Sequence, residues 1–85
     1  MWFFYVLQSQ KDTNWFYKGS TNDLNRRLNQ HNNGEVPSTQ FYRQLNLVYY
    51  EAYLTEQSAR LRESSVKKSG SVWMPLMKRI KDSLK

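Results

Sequence analysis

Residues 2–7, Trp-Phe-Phe-Tyr-Val-Leu, form an unbroken aromatic and β-branched run. A run with no polar alternation suits a central strand covered on both sides, and an 85-residue chain has little with which to cover it. A domain of this size buries about 60–65% of its unfolded surface, which allows one core and no deep substrate cavity. Alternation puts Phe3, Tyr5 and Leu7 on one face. The polar stretch 8–14 leads to a second strand at about 15–19. If the two pair as an antiparallel hairpin turning near Lys11, Tyr5 lies opposite Tyr17. On these grounds alone Tyr5 reads as a core aromatic with its hydroxyl at the edge.

Residues 16–31 run strand, turn, helix. Trp15, Phe16 and Tyr17 suit a half-buried strand, Gly19 lets the backbone leave it, and Ser20, Thr21, Asn22 and Asp23 offer turn and N-cap oxygens. A helix therefore starts near Asn22 or Asp23. At about 100° per residue, Leu24, Arg27, Leu28 and His31 share one arc, while Arg26, Asn29 and Gln30 point elsewhere. A structural helix would carry an aliphatic residue where Arg27 stands, because burying an unpaired guanidinium is costly. Arg27 and His31, one turn apart, are arranged to meet an anion.

Asn32-Asn33-Gly34 supplies a helix C-cap with Gly34 as the left-handed residue. The long polar loop 35–46 carries Phe41, Tyr42 and Arg43; its aromatics either stack on nucleotides or fold back on the core. In 47–54 alternation sends Val48, Tyr50, Ala52 and Leu54 one way and Tyr49, Glu51 and Tyr53 the other. Thr55 caps a helix over about 56–69, with Gly70 past its end. On that helix Glu63 shares the stripe of Ala59 and Val66; it is read either as a salt bridge with Arg60 or Lys67 or as a functional acid. A final amphipathic helix shows Trp73, Leu76, Met77, Ile80 and Leu84 on one stripe, Pro75 in its first turn, and a basic outer face.

The whole reads as a single α+β domain over 1–85, a small three-stranded antiparallel sheet flanked by three helices. The net charge of +6 and pI of about 9.8 favour a polyanionic partner, although a basic balance also suits an anionic membrane surface. With no cysteine and one histidine, thiolate catalysis, disulfides and cysteine- or histidine-cluster metal sites are excluded within one chain. The apolar start is too short to span a bilayer and follows no cationic region, so a soluble, cytoplasmic protein is expected. Of the seven acids, Glu63 alone lies on an inward helical stripe. That excludes a two-metal site, which needs several convergent carboxylates, and leaves room for one hard ion that keeps most of its waters.

Phe3-Phe4-Tyr5, then Tyr17-Lys18-Gly19, then Asp23-Leu24-Asn25-Arg26-Arg27-Leu28 with His31, and finally Ala59 to Glu63, follow one another in an order and spacing that resembles the GIY-YIG nucleases, in particular their small single-domain bacterial members. The resemblance covers roughly residues 2 to 68. It implies a metal-dependent endonuclease that cuts DNA with little sequence specificity, its selectivity coming from DNA structure or a protein partner. By the same resemblance Glu63 holds Mg²⁺ or Mn²⁺, Arg27 offsets charge in the transition state, Tyr5 takes the proton from the attacking water, and Tyr17 and His31 orient and polarise it. Lys18, Arg26, Arg43, Lys67 and Lys68 are candidate nucleic-acid contacts. Lys18 stands where the family has isoleucine, Phe3 and Phe4 replace Gly-Ile, and no asparagine follows Asn46. A catalytically inactive nucleic-acid-binding domain of the same fold is the alternative, and a protein-interaction module is a third. The catalytic reading requires five side chains to converge on one opening, with Arg27 and Glu63 on the same side of the sheet.

Overall fold

The computed structural model describes all residues 1–85. Strands β1 (Trp2–Ser9), β2 (Phe16–Thr21) and β3 (Leu45–Tyr53) form one antiparallel sheet in the order β2-β1-β3. Helix α1 (Leu24–Asn32) lies between β2 and β3 in the chain, and α2 (Glu56–Lys68) and α3 (Gly70–Ser83) follow β3. The apolar run is the central strand, buried on both faces. On one face Phe4 and Val6 meet Val66 of α2 and Leu76 and Ile80 of α3. On the other, Tyr5 and Leu7 meet Leu45 of β3 and Leu24 and Leu28 of α1. Each face thus has its own core, and burial of these side chains, at roughly 1.5–3 kcal/mol each, is the main force holding the layers together.

The helix starts follow the expected chemistry. The Asp23 carboxylate accepts from the Arg26 amide at 3.0 Å and the Thr55 hydroxyl from the Ser58 amide at 3.2 Å. Gly34 takes φ +79° after α1, as its C-cap role demands. Asn32, read from sequence only as part of that cap, does more. Its side chain donates to the Leu45 carbonyl at 3.0 Å and accepts from the Leu45 amide at 2.8 Å, pairing with the start of β3 as a neighbouring strand would. This ties the end of α1 to the sheet.

Four sequence expectations need correction. The hairpin turns one residue later than Lys11, so Tyr5 pairs with Gly19 and Tyr17 with Leu7. A bulge between Val6 and Leu7 shifts the β1–β3 register, and Val48 therefore packs on the same face as Tyr49 rather than opposite it. Gly70 stands just past α2 as expected and also opens α3, with Ser69 serving both helices as cap. Pro75 is accordingly the sixth residue of α3, beyond its first turn, and Leu84 is exposed at its end.

Glu51 links β3 to α2. Its carboxylate accepts from Tyr49 Oη at 2.5 Å, Tyr53 Oη at 2.6 Å, and Arg62 Nε and Nη2 at 2.9 and 3.0 Å. Burial alone would raise the Glu51 carboxyl, but Arg62 and the two phenols outweigh it and hold it below the usual carboxylate range. Glu51→Ala strands a half-buried guanidinium and two phenols, and is expected to cost about 2 kcal/mol in urea unfolding; a loss below about 0.5 kcal/mol contradicts this role for Glu51.

Candidate active site

Tyr5 is 2% exposed, and its ring lies across Gly19 of the neighbouring strand: a Cβ built on Gly19 would stand 2.6 Å from Tyr5 Oη. Glycine is required there by this approach and not by backbone conformation. The phenol reaches His31 Nε2 at 2.9 Å, and His31 Nδ1 lies 2.8 Å from Thr39 Oγ1. His31 and Thr39 are both fully buried. Tyr17 completes the cluster, its ring centroid 5.0 Å from that of His31 and 6.3 Å from that of Tyr5. The displaced register therefore still gathers both phenols, on a diagonal rather than face to face.

Electrostatics set the protonation of this cluster. Burial pushes the Tyr5 phenol up to about 12, assisted by Tyr17 and the Glu63 carboxylate; the Arg27 guanidinium beside it pulls the other way. Burial, reinforced by Arg27, lowers His31 to about 4. At neutral pH the pair is a neutral phenol bonded to a neutral imidazole. His31 thus supplies no positive charge to Tyr5, whereas Arg27 does.

Arg27 is half-buried on α1 and bonds Gln30 Oε1 at 3.0 Å through Nη1. Glu63 comes from α2, which packs on the opposite face of the sheet. Its Oε1 accepts from Ser20 Oγ at 2.6 Å and its Oε2 from Lys67 Nζ at 2.6 Å. Lys67 Nζ in turn stands 5.7 Å from the Tyr17 ring centroid. The two helices cover opposite faces of the sheet, yet their side chains reach toward one place at the β2 edge: the charges of Arg27 and Glu63 both act on the Tyr5 phenol, which lies on the α1 face. The salt bridge considered for Glu63 is present with Lys67, while Arg60 pairs with Glu56 at 2.6 Å.

The candidate nucleic-acid contacts disperse. Lys18 points to the other face, as alternation requires, with Nζ 4.3 Å from the Trp73 ring centroid. Arg26 Nη2 donates to Asn22 Oδ1 at 2.8 Å, and Arg43 Nε to the Gln40 carbonyl at 3.0 Å. Lys68 is exposed near the end of α2. Of the loop aromatics, Tyr42 folds back and stacks on Trp15 at 3.8 Å, while Phe41 stays 71% exposed. Tyr42 thus takes the fold-back role read for the loop, while Phe41 lies open with Lys11 Nζ 4.4 Å from its ring centroid. The surface pocket lined by Glu56, Gln57, Arg60 and Leu61 belongs to α2 alone and does not touch Tyr5. Thr39, read from sequence only as part of the long polar loop, is the residue that completes the buried cluster. A polar side chain in a loop carries no periodicity to mark it as buried.

Glu63 is the lone carboxylate beside the phenols, and no three acid or histidine side chains cluster anywhere in the chain. The donor set fits one weakly held hard cation, with waters and a phosphate filling its other positions. Such an ion has to displace the Lys67 ammonium. No helix is long and apolar enough to cross a membrane.

A three-stranded antiparallel sheet with three helices is an α+β fold of the GIY-YIG kind, and the chain belongs to that nuclease family: the GIY-YIG catalytic domain matches residues 1–73. The family implies a nucleic-acid substrate and is generally metal-dependent. Its relatives include the UPF0213 protein YazA of Bacillus subtilis, 39% identical over 67 residues, which are 78% of this chain and 66% of that protein. The chain therefore matches just under two thirds of that relative's length. A UPF0213 protein of Staphylococcus epidermidis is 35% identical over 66 residues, 76% of this chain and 78% of its own. No solved structure gives a significant match.

A buried imidazole held near 4 makes stability depend on pH. The unfolded chain binds a proton at His31 below about pH 6.5, while the folded chain does not until about pH 4. Stability from this group is therefore complete above pH 6.5 and is lost as pH falls toward 4. The thermal midpoint is expected to fall by roughly 10 °C across that window, and His31→Phe to remove most of the slope. An unchanged slope in His31→Phe contradicts a neutral buried His31.

Proposed function

We propose that this chain is a metal-dependent endonuclease that hydrolyses phosphodiester bonds of DNA, using Mg²⁺ or Mn²⁺ and having little sequence specificity of its own. The observation that carries the reading is the Tyr5 phenol, bonded to neutral His31, beside Arg27, acted on by the Glu63 carboxylate, and lying across Gly19 of the edge strand β2. Tyr5 serves as the route for the water proton. Water gives a proton to Tyr5 Oη as the phenol passes its own to His31 Nε2, and the water oxygen bonds to phosphorus. The bond from phosphorus to the 3′ oxygen breaks, its electron pair stays on that oxygen, and solvent supplies the proton it takes up. Arg27, permanently charged, stabilises the extra negative charge on the phosphoryl oxygens. Tyr17 packs against His31 and keeps the phenol in place. A divalent ion on Glu63 supplies Lewis-acid polarisation of the phosphate. A protein partner or the shape of the DNA provides selectivity.

The ion pair between Glu63 and Lys67 supports a second reading, a catalytically inactive nucleic-acid-binding domain, because both carboxylate oxygens are already engaged. Nicking of supercoiled plasmid with Mg²⁺ or Mn²⁺ separates the two. The expected result is metal-dependent nicking that falls about 10²–10⁴-fold in Tyr5→Phe and about 10²–10³-fold in Arg27→Ala, and is lost in Glu63→Ala, with thermal midpoints retained. Salt-sensitive DNA binding without nicking under any metal overturns the enzyme and supports the binding domain.

A further inference from the structure

Thr39 sits at the N-cap of the 3₁₀ turn Gln40–Tyr42, yet its hydroxyl caps nothing there. Threonine at that position commonly bonds a free amide of the turn. Here Oγ1 is buried and has two partners, His31 Nδ1 at 2.8 Å and the Val36 carbonyl at 3.3 Å. A hydroxyl has one proton and a carbonyl can only accept. With that proton directed to Val36, Oγ1 presents a lone pair to His31, so Nδ1 carries the imidazole proton and Nε2 is bare.

The phenol requires the same direction. His31 Nε2 is the one acceptor bonded to Tyr5 Oη, because the Arg27 guanidinium beside it can only donate. Both Glu63 oxygens are occupied by Ser20 and Lys67. Were Nε2 protonated, Tyr5 would have to accept from it, and its own buried proton would have no partner. All three bonds are satisfied only when Tyr5 donates to Nε2, Nδ1 donates to Thr39, and Thr39 donates to the Val36 carbonyl.

We propose that Thr39, oriented by the Val36 carbonyl, is a positioning residue that holds His31 in the tautomer protonated on Nδ1, leaving Nε2 free to take the Tyr5 proton. Its catalytic consequence rests on the nuclease reading; the tautomer does not. With Nε2 protonated instead, the phenol would have nowhere to pass its proton when it takes one from water, and the relay would stop at its first step. Thr39 touches neither water nor phosphate in this scheme and acts only through the ring.

The chain has a single histidine, so ¹⁵N-histidine NMR of the intact protein reports this ring without assignment. The expected wild-type spectrum shows a protonated Nδ1 and a bare Nε2, retained in Thr39→Ser and reversed in Thr39→Val, where the buried Nδ1 proton loses its acceptor. In the nicking assay Thr39→Val is expected to lower kcat at least about 10²-fold with KM within about twofold, and Thr39→Ser to restore it. A wild-type ring protonated on Nε2 overturns the proposal, and this measurement needs no variant to fold. A folded Thr39→Val with wild-type kcat also overturns it. If the wild type does not nick DNA under any metal while its ring is protonated on Nδ1, the nuclease reading falls and the positioning of His31 by Thr39 stands.

Discussion

The burial of β1 on both faces is the constraint from which the rest follows. A strand whose odd and even side chains are both apolar needs two independent covers, and an 85-residue chain supplies them with α1 on one side and α2 with α3 on the other. Tyr5 is part of that core and also its only phenol bonded to the imidazole. The site is thus continuous with the hydrophobic interior. That continuity is why the phenol and the imidazole are both driven to their neutral forms: the same desolvation that packs the strand penalises charge on either group.

The strands and helices were legible in the sequence because their signals are local. An unbroken apolar run marked β1, helical periodicity marked the stripe of α3 and the inward lean of Arg27 and His31, and Asp23, Thr55 and Gly34 marked helix ends that the structure retains. What failed was register. A hairpin displaced by one residue moved Tyr17 from beside Tyr5 to beside Leu7, and a bulge turned Val48 over. Neither leaves a trace in alternation, because both are settled by which long-range packing is tighter.

At the site, the residues that a helix or strand projects were accessible to reasoning, and the groups that organise them were not. His31 was found through its helical arc, whereas Thr39, which bonds its far nitrogen, comes from an irregular loop. Asn32 resembled an ordinary cap and turned out to pair with the backbone of Leu45. The fold family was recognisable from the ordered motifs, but the approach of Arg27 and Glu63 from opposite faces was not, since sequence order carries no information about which side of a sheet a helix takes.

The close approach of Tyr5 to Gly19 has a further consequence. Where the phenol rests, the boundary of the site is bare main chain, which offers no side chain to exchange. Diversification among chains built this way must then work through the flanking positions, Lys18 beneath and Ser20 beside the carboxylate, which can vary in charge and size without intruding on the ring. The middle of the β2 edge is thus closed to side-chain variation for as long as Tyr5 keeps its place.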